Sequence, residues 1–83
     1  MTCSLSWQRR DEEGKRIQIE FRLVKEKAAW QVHRRRFEPR ERYEPVAEDW
    51  EELLAQMERN LRRGKVYPED LRIVRRLYAR WKE

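Results

Sequence analysis

The stretch Arg16-Ile17-Gln18-Ile19-Glu20-Phe21-Arg22-Leu23 decides the fold. Apolar residues fall at every second position with polar ones between, the period of a strand with one buried face and one wet face. Toward the N-terminus, Leu5 and Trp7 alternate with Ser4, Ser6 and Gln8. Between these runs lies Arg10-Asp11-Glu12-Glu13-Gly14-Lys15, where Gly14 can supply the positive φ of a short hairpin loop. Toward the C-terminus, Ala28, Trp30 and Val32 alternate with Ala29, Gln31 and His33 after a turn at Lys25-Glu26-Lys27, whose residue types suit turns poorly. Ala28 and Ala29 leave helix as the alternative for residues 25–36, but the β-branched and aromatic alternation favours a strand. The expected buried face is Leu5, Trp7, Ile17, Ile19, Phe21, Leu23, Trp30 and Val32.

Two helices should cover that face. Val46, Trp50, Leu53, Leu54, Met57 and Leu61 share about 100° of arc on a helix, a single apolar stripe. Asp49 with Glu52 three places on reads as an Asp form of the capping box, which starts this helix at Asp49. Arg59, Arg62 and Arg63 suit its C-terminal end, and Gly64 its stop. Pro68, then Glu69 and Asp70, open a second helix that runs to the terminus. The short link from Gly64 to Tyr67 makes the two helices antiparallel neighbours. The expected fold class is α+β: a three-stranded antiparallel β-meander followed by two antiparallel helices packed on one sheet face, β-β-β-α-α. As one small domain over 1–83, it divides into a meander at 1–37, a charged connection at 38–48, and helices at 49–63 and 68–82.

Eighty-three residues can build one small core at most. No apolar run is long enough to span a bilayer and no secretory leader is visible, so no membrane partner is expected. The single cysteine, Cys3, cannot form an internal disulfide, which points to a reducing compartment and hence the cytoplasm. Charge is segregated within the net +5. Residues 44–58 hold six acids (Glu44, Glu48, Asp49, Glu51, Glu52 and Glu58) and no base, and basic segments flank them on both sides.

The chemistry of a catalytic site is missing from the pattern. No glycine-rich phosphate loop and no Cys/His cluster occurs, so no cofactor and no metal is expected. His33 lies on the polar sheet face as a surface histidine, and Cys3 has no nearby base to activate it. The carboxylates of 44–58 lie on an exposed helix face with nothing to raise a pKa. The chain reads as a non-enzyme.

Two arginine groups carry the functional reading. In the connection, Arg34, Arg35, Arg36, Arg40 and Arg42 interleave with Phe37 and Tyr43. Guanidinium forks match phosphate oxygens and aromatic rings offer faces to unpaired bases, so this stretch is a candidate nucleic-acid contact. On the second helix, Arg72, Arg75, Arg76 and Arg80 fill the half opposite the apolar stripe. The pairs Arg72–Arg76 and Arg76–Arg80 are like charges at i,i+4, which calls for an anion nearby. That anion is either a ligand or the chain's own acids, with Glu48, Glu51 and Glu52 pairing across to Arg76, Arg80 or Lys82. Trp7, Trp30, Trp50 and Trp81 all fall on core faces, more volume than so small a core encloses, and Trp81 near the terminus is the candidate partner contact. The expected function is a small binding module for an anionic partner such as nucleic acid. The alternative is a protein–protein or homo-oligomer-forming module with no nucleic-acid role.

Overall fold

A computed structural model describes residues 2–34 and 39–83. Its elements follow the expected order. Strands β1 (Thr2–Arg10), β2 (Arg16–Val24) and β3 (Lys27–His33) form an antiparallel meander, β4 (Glu41–Arg42) adds a short fourth strand, and helices α1 (Ala47–Arg62) and α2 (Pro68–Lys82) follow. Spatial order equals chain order, β1-β2-β3-β4. Register sets Leu5 opposite Phe21, Trp7 opposite Ile19, and Phe21 opposite Trp30.

Alternation is strict along β2, where Ile17, Ile19, Phe21 and Leu23 are buried and their neighbours are not. Together with Trp30 and Val32 they meet Trp50, Leu53 and Met57 of α1 and Leu71 and Val74 of α2, and Val66 closes the core between the helices. Leu5 and Trp7, on the outermost strand, pack against this core but are only half-buried. The aromatic volume is accommodated edge-on: Trp7, Phe21 and Trp50 each present a tilted or T-shaped ring to Trp30 at 5.0–5.9 Å between centroids.

Three local features differ from expectation. The connection after β3 is not wholly irregular, because Glu41 and Arg42 pair with Val32 and Gln31. Helix α1 begins two residues early, at Ala47, with Val46 as its N-cap and 45% exposed rather than in the core stripe. Asp49 is therefore not the cap but the third helical residue, and it reaches back so that its Oδ2 accepts the Val46 N–H at 3.1 Å. Valine has no side-chain acceptor, so only this half of a capping box forms. The β2–β3 turn is a two-residue hairpin in which Lys25 and Glu26 both adopt positive φ, 48° and 66°. Two-residue hairpins need this backbone to follow the twist of their strands, and here residues with a Cβ supply it. Gly14 and Gly64 take the positive φ (81° and 75°) that their places in the sequence require.

Candidate nucleic-acid interface

The arginines of the connection diverge. Arg35, Arg36 and Phe37 lie outside the described residues. Arg34 turns toward the β1–β2 loop, 3.5 Å from Asp11, beside a groove that also holds Glu12, Glu13, Glu44 and Glu48. Arg40 lies toward the open sheet face, with its Nε 3.0 Å from Glu20. Arg42, opposite Gln31 and so in the same register as Arg40, borders an open groove of about 740 Å³ between the outer margin of β3 and the C-terminal half of α2. The run is thus divided by local charge, since Arg34 meets Asp11, Arg40 meets Glu20, and Arg42 lies beside the groove.

On α2 the arginines face solvent as the helical period requires. Arg75 donates to Glu58 of α1 at 2.9 Å. The expected pairs of Glu48, Glu51 and Glu52 with Arg76, Arg80 or Lys82 do not form among the described residues. Glu52 lies 3.8 Å from Arg59 on its own helix instead. Both charged faces are opposite their apolar stripes, so they point away from the seam between the helices. Only Arg75 and Glu58 sit close enough to that seam to meet. Arg72, Arg76 and Arg80 then form a row at i, i+4 and i+8 with no acid partner among the described residues, each step rising about 6 Å along the axis.

That row leads into the groove holding Arg42. Arg42 and Arg80 are its exposed cationic members, Trp30 and Trp50 are buried at its base, and Leu77 and Trp81 line the helix side. Trp81 is 37% exposed, and its ring tilts against Trp50 at 6.0 Å and Tyr78 at 6.1 Å. Trp50 and Tyr78 stack at 5.4 Å, and Lys82 Nζ lies 4.2 Å above the Tyr78 ring. The buried Nε1 atoms of Trp30 and Trp50 have no hydrogen-bond partner among the described residues. Glu44 is the groove's single acid among the described residues.

Tyr43 also lines this groove, but its hydroxyl is committed elsewhere. It donates to Asp49 Oδ2 at 2.5 Å and accepts a short hydrogen bond from Arg9 Nη2. Arg9 Nε donates to Asp49 Oδ1 at 2.8 Å, and Asp49 is fully buried. Burial first, and the Asp49 carboxylate second, push the Tyr43 phenol above its ordinary value, with Arg9 opposing. For Arg9, burial works to lower the pKa, while hydrogen bonds to Asp49 and Tyr43 raise it, and the net direction is upward. This clasp ties β1, the start of α1 and the chain leaving β4, fixing the wall on which Arg42 sits. The sequence carries a signal for it. Arg9 continues the inward register of Cys3, Leu5 and Trp7, and Asp49 borders the apolar stripe of α1. Two opposite charges on inward faces point to each other.

No helix is long and apolar enough to cross a membrane among the described residues. Compared with protein-family models, curated proteins and solved structures, the chain has no match.

Proposed function

We propose that this chain is a non-catalytic, cytoplasmic module that binds single-stranded nucleic acid in the groove between β3 and α2. The observation that carries the reading is the convergence of Arg42 and Arg80 on a groove containing the partly exposed Trp81. Guanidinium forks hold phosphate oxygens, and an indole face stacks an unpaired base whatever its identity. The row Arg72–Arg76–Arg80 extends the positive track along α2, so the strand follows the helix toward the groove. Duplex DNA fits this arrangement less well, because its bases are stacked on one another and unavailable to Trp81.

Fluorescence-anisotropy titration of labelled single- and double-stranded DNA and RNA at two salt concentrations tests it. Log affinity should fall linearly with log salt, and Arg42→Gln and Arg80→Gln should each lower the slope by about one. Trp81→Ala should weaken single-strand binding by about 1–3 kcal/mol at unchanged slope. Absence of micromolar binding to every probe at low salt would overturn the proposal. The exposure of Trp81 also suits a protein partner. Under that reading the tryptophan change removes binding to a protein while the arginine changes have no counterpart in salt dependence.

A further inference from the structure

The opposite margin of the sheet points to a second binding surface. β1 is the terminal strand, nine residues long and paired with β2 without a bulge. The Asp11 N–H to Lys15 carbonyl bond, 2.8 Å, fixes which residues exchange bonds inside the hairpin. Counting back by twos, Arg9, Trp7, Leu5 and Cys3 bond to β2, so the N–H and C=O groups of Ser4, Ser6 and Gln8 point outward. No described backbone group meets them. Protein edges are normally blunted by a charge, a proline, a bulge or brevity. From Thr2 to Gln8 this strand has none of the four. Burial also falls abruptly at it: Phe21 and Ile19 are at most 1% exposed, while their β1 mates Leu5 and Trp7 are only half-buried.

We infer that β1 pairs with β1 of a second copy of this chain, antiparallel and two-fold about Leu5. The choice of occupant follows from the strand's own charge pattern. In this register Ser4 lies opposite Ser6 of the other copy, Thr2 opposite Gln8, and Cys3 opposite Trp7. All seven residues 2–8 enter the shared ladder, and Arg9 and Arg10 fall just beyond it. A shift of two residues would place Arg10 and Arg9 opposite Thr2 and Cys3. The outward-pointing backbone groups are then satisfied reciprocally, as an isologous interface demands. The result is one continuous eight-stranded sheet with a groove at each far margin, so dimerisation leaves the β3–α2 groove open.

Light scattering coupled to size exclusion, on the full chain over a hundredfold concentration range, tests this. Mass should rise from 10.5 kDa toward twice that value. Ser6→Pro removes an outward donor and no bond within the hairpin. It should weaken association at least tenfold while circular dichroism is unchanged. A second pair of variants guards against misfolding and reads the register. Ser4→Lys with Ser6→Lys sets like charges opposite each other and should give monomer. Ser4→Glu with Ser6→Lys sets opposite charges there and should restore the dimer. A mass of one chain at every concentration, or a dimer indifferent to all three variants, would overturn the inference.

Discussion

Arg9 and Asp49 lie 40 residues apart in the chain, and the Arg9 Nε meets the Asp49 Oδ1 at 2.8 Å. The carboxylate is fully buried and the guanidinium side chain is 25% exposed, so the two ends of the pair differ in what their loss leaves behind. Arg9→Met strands a dehydrated negative charge. Asp49→Ala strands a cation that can still turn toward water, though it also frees the Val46 N–H and the Tyr43 hydroxyl. Each single change should cost about 3–5 kcal/mol in urea unfolding, near the whole stability of so small a domain. The triple change Arg9→Met, Tyr43→Phe, Asp49→Leu should recover much of the loss, because no unpaired polar group is left inside. A triple variant as unstable as the singles would show that the clasp acts through something other than pairing.

The Lys25-Glu26 hairpin should be improvable. Both residues hold positive φ, which costs a side-chain-bearing residue roughly 1 kcal/mol. Lys25→Asn with Glu26→Gly keeps the turn and relieves that cost. The melting temperature should rise by about 4–8 °C per kcal/mol gained. A lower melting temperature would mean that these side chains make a contribution the turn geometry does not reveal.

Alkaline pH should test the clasp a second way. Burial and the adjacent carboxylate raise the Tyr43 phenol above its unfolded value of 10.0. The resulting stability is fully present below that pH and is lost as pH rises through the folded value. Ultraviolet absorbance titration should find a tyrosine component ionising above 10.0, and Tyr43→Phe should abolish it.

Cys3 should be a slow thiol. Burial first, and the Asp70 carboxylate second, push it above its ordinary value, so little thiolate is present at neutral pH. Reaction with a disulfide reagent at pH 7.5 should lag behind that of the unfolded chain by tenfold or more. Asp70→Asn should quicken it only slightly, since burial is the larger cause.

The strands were readable because alternation is a local property: Ile17 to Leu23 report their own burial through their neighbours, whatever lies opposite. The helix stripes were readable for the same reason. What escaped is pairwise. Asp49 has the residue type and position of a cap, and only the presence of Arg9 across the core turns it inward. Helix α1 carries five acids and α2 four arginines, yet the same periodicity that builds each apolar stripe carries all but Arg75 and Glu58 away from one another. Arg42 and Arg80 lie 38 positions apart in a chain that brings them to one groove through β4, a two-residue strand too short to leave a periodic trace.

The spatial order of the strands repeats their order in the chain, and this has a kinetic corollary. Each strand finds its neighbour across a short loop, so the sheet can zip up from nearby pieces with little loop entropy to overcome. The bond between Arg9 and Asp49 is an exception, since it must wait for the first strand and first helix to meet. Changes there should therefore be felt on the way out of the native state, hastening unfolding and leaving the speed of assembly almost untouched.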